Sequence, residues 1–290
     1  MNCFDLFEIE RKIEILDIGA SIIEDTNNPN LEVLPTFYDQ LINLNFANLH
    51  AFDGDERQQE RIKEKYKSKV KLYNEYIFDG TKQTLYVTGE RTGMTSLFKP
   101  DKKVLEFFNG FENFGKVLDT KIVQTKKLDD IDELPQIDFL KMDIQGAELT
   151  VLNNSEKKLK NCIALQLETS FICLYENQPS FGEVDSWLRS KGYLPHTFVG
   201  VKKWSIKPTI FGNNFRIPGN QLLETDLIYI KNPLDLQHFE TEQLKNLILV
   251  GHYCYKSYDL VCHLIIELEK RNQLPKDSFR NYLMNAKKFN

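Results

Sequence analysis

Short apolar runs that end in a small or acidic residue alternate along this chain with longer amphipathic segments, and few folds accept that pattern. Parallel strands need a crossover between them, usually a helix, and strands covered on both faces read as near-continuous apolar runs. The alternation therefore predicts βα units building a parallel sheet. The runs fall at 12–21 (KIEILDIGAS), 48–55 (NLHAFDGD), 70–78 (VKLYNEYIF), 137–143 and 161–170 (NCIALQLETS). Between them, Phe37, Leu41 and Leu44 recur at helical spacing behind Pro35, a charged helix runs through Lys67, and another runs from Gly146 to Lys158. The segment 83–89 after Asp79-Gly80 reads as a short antiparallel excursion, and 120–125 is strand-like. Ser180 and Glu183 form a capping box for a helix that buries Phe181, Val184 and Leu188 and ends at Gly192. YLPHTF and 224–231 complete the sheet. From 233 the apolar period becomes helical, giving two helices, so the expected organisation is a domain over 1–232 and a small helical appendage over 233–290.

At 290 residues and 41% hydrophobic, the chain can bury a sizeable core. Its net charge of −5, with both signs interspersed, makes nucleic acid a poor partner. Cys3, Cys162, Cys173, Cys254 and Cys262 contain no CxxC pair, which argues against a disulfide framework and fits a reducing compartment. The opening MNCFDLFEIE carries acids where a signal peptide needs a basic and then an apolar stretch, and no run approaches the roughly 20 apolar residues of a membrane span. The expectation is a cytoplasmic protein without a membrane span.

Ligands of an open parallel sheet bind outside the carboxyl ends of its strands. Four of the runs carry an acid there: Asp17 with Gly19, Asp53, Asp143 and Glu168. In LDIGAS a glycine stands where a ligand must approach the backbone, but the segment from Gly19 to Glu24 lacks GxGxxG, so a dinucleotide phosphate cradle is missing. Asp53 can accept from both hydroxyls of a ribose, although Asp53-Gly54-Asp55 serves equally well as a turn and helix cap. Lys141 and Asp143, two apart in FLKMDIQGAE, project to one side of a strand, where Gln166 and Glu168 could line the adjoining stretch. A structural ion pair would account for the lysine by spacing alone; the position at the strand end favours a part in chemistry.

IDFLKMDIQGAELTVLNN resembles the signature of FkbM-type S-adenosylmethionine-dependent methyltransferases, in which a strand ends in Lys-x-Asp and Gly-Ala-Glu opens a helix. LDIGAS is similar to the cofactor loop of that family, LHAFDGD to its second-strand acid, TGMTSLFKP to its Ser/Thr-rich loop, 165–193 to its extended fifth-strand segment and LLETDLIYIKNP to its closing strand. The chain departs from the family at Asp53-Gly54, where a glutamate is usual, and at Gln145, where a glutamate is common. The first keeps a shorter carboxylate; the second leaves no charge at 145. The resemblance implies a class I methyltransferase fold, α/β and Rossmann-like, with a mostly parallel seven-stranded sheet and helices on both faces. It further implies S-adenosyl-L-methionine held by Asp17, Gly19, Ala20, Asp53, Gly54, Phe78, Asp79 and Ser96. Asp143 would stand nearest the acceptor as positioning group or base, Lys141 would steady the loop or the emerging alkoxide, and Glu168 would be a second base. Glu148 would face the substrate, a hydroxyl of a sugar, glycan or secondary metabolite; His196, just after a strand start, is a lesser candidate for the same pocket, a satisfied structural histidine being the preferred reading.

His252, Cys254, Cys262 and His263 have the count but not the spacing of a zinc site, so no metal is expected. FDGDE imitates the Asp-x-Asp of nucleotide-sugar glycosyltransferases, with Asp53 and Asp55 on a divalent cation. That rival gives no role to Asp-x-Gly, Lys-x-Asp or Gly-Ala-Glu. A third reading is a catalytically silent cofactor-binding protein. The helical tail could serve as a homodimer surface, a lid or a docking module.

Overall fold

The computed structural model describes residues 10–20, 36–54, 56–89 and 93–286. Cys3, the polar segment 21–35 with Pro35, Asp55 and positions 90–92 of the Ser/Thr-rich loop lie outside the described residues. The strands are β1 (Ile13–Ile18), β2 (Ala47–Phe52), β3 (Val70–Tyr73), β4 (Tyr76–Ile77), β5 (Lys82–Val87), β6 (Asp119–Lys126), β7 (Phe139–Met142), β8 (Ala164–Ser170), β9 (Tyr193–Trp204) and β10 (Gln221–Lys231). The helices are α1 (Asp39–Asn43), α2 (Glu56–Tyr66), α3 (Lys102–Phe107), α4 (Phe111–Phe114), α5 (Glu148–Asn153), α6 (Phe181–Ser190), α7 (Thr241–Tyr253), α8 (Tyr258–Lys270) and α9 (Ser278–Ala286).

Seven strands form one sheet in the order β3-β2-β1-β7-β8-β10-β9. Every pairing from β3 to β8 is parallel, whereas β10 runs antiparallel to both β8 and β9. The sheet is thus mixed, because no helix separates β9 from β10 and a chain that returns without a crossover pairs antiparallel. The strand order reverses between β1 and β7, which makes their carboxyl ends the switch point of the sheet. The excursion after Asp79 is antiparallel as expected, but its partner is β6, in a separate sheet ordered β4-β6-β5.

Side chains alternate across the sheet. Ile13 and Ile15 join a core layer with Leu41 of α1, Leu247 and Ile248 of α7 and Val261 of α8. Leu16 and Ile18 face a second layer with Val151 of α5 and Leu188 of α6. The helices after 233 therefore pack into the core of the sheet, and α7 is buried on every side rather than amphipathic. Among the described residues, no helix is long and apolar enough to cross a membrane.

Three local expectations need correction. The helix around Phe37 is short, and Leu44 lies beyond its end with 40% of its surface exposed. The helix predicted to reach Lys158 stops at Asn153, because the Asp129 carboxylate takes the backbone N–H groups of Lys157 (3.1 Å) and Lys158 (2.9 Å). A third C-terminal helix, α9, follows the two predicted ones; it buries Tyr282 but leaves Leu283 and Met284 exposed, so its apolar period is weak. The capping box of α6 is present, with Ser180 N–H donating to Glu183 at 2.8 Å.

The burial of α7 has a measurable consequence. Leu247→Ala, at a position with 0% exposure, is expected to cost roughly 2–5 kcal/mol in urea denaturation. A loss below about 1 kcal/mol would mean that the helix is not part of the core.

Candidate active site at the switch point

Two glycines bring the strand ends together. Gly19 has φ +78, and a Cβ there would stand 1.9 Å from the carbonyl oxygen of Asp143, so the loops after β1 and β7 touch backbone to backbone. Around that contact Gly19 and Ala20 donate their N–H groups to the Phe52 carbonyl (3.0 and 3.2 Å), and Asp143 N–H donates to Ile18 (3.0 Å). At the end of β2, a Cβ on Gly54 would lie 2.4 Å from the Tyr76 ring. Ala20 is buried, and Asp53 is half-buried with its carbonyl accepting from Gln59 at 2.7 Å.

Across the centre of the sheet, register places Asp17 beside Lys141 and Lys141 beside Gln166, all on one face. Lys141 Nζ donates to Asp17 Oδ1 at 3.2 Å, so the ion pair of this lysine is made with the neighbouring strand and not with Asp143. The Tyr38 hydroxyl donates to Asp17 Oδ2 at 2.6 Å. Burial disfavours the Lys141 ammonium, but Asp17, Asp143 and Asp226 together outweigh it and raise its pKa, so it stays charged. Burial, and then the Asp17 carboxylate, pushes Tyr38 well up, so it remains a donor.

The β7–α5 turn carries the next group. Gln145 (φ +58) and Gly146 (φ +100) are both left-handed and swing the chain into α5. Glu148, 4% exposed, accepts the N–H groups of Ile144 (3.0 Å) and Gly146 (3.3 Å), which makes it the clamp of this turn. Its burial pushes its pKa up to about 7. Ser96 donates to the Gln145 carbonyl at 2.7 Å, tying a distant loop to the same turn. Gln145 Nε2 donates to Asp143 Oδ1 (2.8 Å) and to Glu168 Oε2 (2.7 Å). Glu168 also accepts from Lys202 (3.3 Å), which reaches Glu224 at 2.6 Å. Burial first, and then the charges of Asp143 and Glu224, holds Glu168 well above the usual carboxylate range. Asp226, the cross-strand partner of Glu168, is raised by burial and by Asp143.

The structure thus brings Asp17, Gly19, Lys141, Asp143, Glu148 and Glu168 to one end of the sheet. Phe78 is buried with its ring edge-on to Phe98, centroids 5.9 Å apart. Asp79 is held in its own turn: burial raises its pKa, but hydrogen bonds from Thr81 and Gln83 bring it below the usual range. His196 stands on the edge strand β9, its Nε2 2.7 Å from the Ser257 hydroxyl in the α7–α8 connection, with its pKa pulled down by burial. Among the described residues no group of three His, Cys, Asp or Glu is placed to hold a metal ion, and His252 Nδ1 instead meets the Tyr282 hydroxyl at 2.7 Å. Sequence reasoning noted Gln145 only as a departure that removes a charge and did not single out Tyr175, Lys202, Glu224 and Asp226. The last three become neighbours of Glu168 only through the antiparallel register of β10 and β9.

The family described as Methyltransferase FkbM domain matches residues 15–195. No curated protein matches the chain in sequence. Among solved structures, magnesium protoporphyrin IX methyltransferase from Synechocystis PCC 6803, with bound SAM, is similar at 9% identity over 77% of this chain and 71% of that chain, TM-score 0.36. A 23S rRNA methyltransferase, ErmE, is similar at 10% identity over 84% and 73%, TM-score 0.34. An uncharacterized protein from Listeria monocytogenes serotype 4b is similar at 9% over 97% and 94%, TM-score 0.36. These overlaps are too loose to bear on activity.

Two outcomes test the geometry. Gly19→Ala should lose about 2 kcal/mol or more in urea denaturation, since the new Cβ meets backbone and the φ is unfavourable; an unperturbed protein would mean that the loops do not touch. Glu148→Gln keeps the Oε1 acceptor and removes the titration. A raised carboxyl pKa contributes stability that is complete below the unfolded value near 4.5 and lost as pH rises to about 7. Thermal denaturation should therefore show the glutamine variant gaining on the parent between those limits, with the difference between the two proteins constant below and above.

Proposed function

The chain belongs to the FkbM methyltransferase domain family, and from that premise we propose that it is an S-adenosyl-L-methionine-dependent O-methyltransferase. The observation that carries the reading is the meeting of Gly19 with Asp143 at the switch point, which sets a cofactor-side loop against an acid at the end of the next parallel strand. The cofactor would lie over Gly19, Ala20, Asp53 and Gly54, with Phe78 as an apolar neighbour for its base. The donor set fits it: backbone at Gly19 for close approach and a half-buried carboxylate at Asp53 for a diol. Asp79, bonded within its own turn, and Ser96, bonded across to the β7–α5 turn, would shape that wall rather than bind directly.

S-adenosyl-L-methionine supplies a methyl group on a sulfonium whose leaving group needs no assistance. The protein must then align an acceptor hydroxyl and accept its proton. Asp143 is the group we assign to that task. Lys141, paired with Asp17 and protonated, offsets charge beside Asp143 and is no base. Glu168 is a secondary proton acceptor. The acceptor class we favour is a hydroxyl of a sugar, glycan or secondary metabolite, with the methyltransferase domain over 1–232. A homodimer through the helices after 233 would use α9, where Leu283 and Met284 are exposed, because α7 is occupied by the core.

Calorimetry against S-adenosylmethionine, S-adenosylhomocysteine, NAD and a uridine-diphosphate sugar with manganese tests the class. Binding of the first two is expected; binding of only the last would make the Asp-x-Asp glycosyltransferase the correct reading. Asp53→Ala should weaken S-adenosylhomocysteine binding by about tenfold or more. Asp143→Ala should leave that affinity within about threefold while cutting methyl transfer to an accepted hydroxyl by about a hundredfold. The reverse pattern would exchange the two roles.

A further inference from the structure

Left-handed backbone at a residue other than glycine is disfavoured, and the β7–α5 turn adopts it to deliver one side chain. Gln145 is held there from three directions: Ser96 donates to its carbonyl, Glu148 accepts the N–H groups on either side, and Tyr175, 2% exposed, donates its hydroxyl to Oε1 at 2.8 Å. The other end of the amide meets two carboxylates, Asp143 at 2.8 Å and Glu168 at 2.7 Å. Its orientation follows from these partners, because turning it over would aim a carbonyl oxygen at both carboxylates.

We propose that Gln145 is the positioning residue of the acceptor site, its single amide nitrogen yoking Asp143 and Glu168 into a fixed pair so that Asp143 meets the acceptor with the oxygen Gln145 leaves uncovered. The yoke stands on geometry alone; its service to an acceptor rests on the methyl-transfer reading. Asp143 and Glu168 also face each other directly, which adds to burial in raising Glu168, and each N–H of the amide favours the charged form and so opposes that rise. Other groups face the pair as well: Lys141 from β7, Lys202 from β9, Glu224 and Asp226 from β10, and Tyr175. Lys202 reaches Glu168 and Glu224, and Lys141 reaches Asp17, so neither lysine takes over the bridge.

Carboxyl-carbon NMR titration of the full chain, labelled at Asp and Glu, reads the yoke without any acceptor, with Glu168 assigned by the resonance lost in Glu168→Gln. Gln145→Met keeps the length of the side chain and removes both N–H donors. The Glu168 midpoint is then expected to rise by about one pH unit or more. Tyr175→Phe, which keeps the ring and frees the amide to turn, should give a smaller rise in the same direction. An unchanged midpoint in Gln145→Met overturns the proposal. If that variant does not fold, an unchanged midpoint in Tyr175→Phe overturns it equally. The same samples titrated with S-adenosylhomocysteine should bind within about threefold of the parent. A shifted midpoint without any such binding in the parent would leave the yoke standing and remove the methyltransferase reading.

Discussion

A carboxylate buried at the end of a strand must be met by a cation, and here the partly covered Lys141 on the adjoining strand meets Asp17. The rest of the site depends on that pairing. It spans adjoining positions of β1 and β7 at the switch point, and the Tyr38 hydroxyl donates to the second Asp17 oxygen. Removing one partner of such a pair typically costs about 3–5 kcal/mol, because the other charge is left buried alone. With Lys141 taken by Asp17, the lysine does not hold Asp143, which is left to the turn beyond it.

That turn is over-determined. Gly19 has no Cβ because the carbonyl of Asp143 fills the space, and Glu148 and Ser96 fix the backbone on both sides of Gln145. A left-handed pair of residues survives only where surroundings hold it. The surroundings here come from four separate stretches of chain, which converge only once the sheet has formed. Positions that look like independent motifs are in this sense one structure.

Periodicity made the sheet, the α6 cap and the acids at the strand ends legible, because each is a property of neighbouring residues. What failed was whatever needed a partner from elsewhere. The spacing of Lys141 and Asp143 shows that they share a face but not that the lysine turns to Asp17. The end of α5 depends on Asp129, twenty-odd residues upstream of it in sequence. The all-round burial of α7 follows from the layer of α8 laid over it, whereas α9 carries too few buried apolar positions to stand out. Tyr175 and Asp226 bear no local mark of their place; only the register of β10 against β8 brings Asp226 to Glu168.

The crowding of carboxyls at one end of the sheet also sets how the fold responds to pH. Glu148, Glu168 and Asp226 are all raised, burial being the leading cause in each. Groups raised in this way favour the folded state while protonated and oppose it once they must ionise in place, so the strand ends work against stability as pH rises. Lys141 and Lys202 limit the loss, because both gain from the same carboxylates and are raised in turn. The cluster stands at the ends of strands with well-covered cores: the apolar side chains of β1, β7 and β8 are at most 3% exposed. A polar cluster that costs stability can persist at this end of the sheet because the two helical layers behind it hold the strands in place without its help.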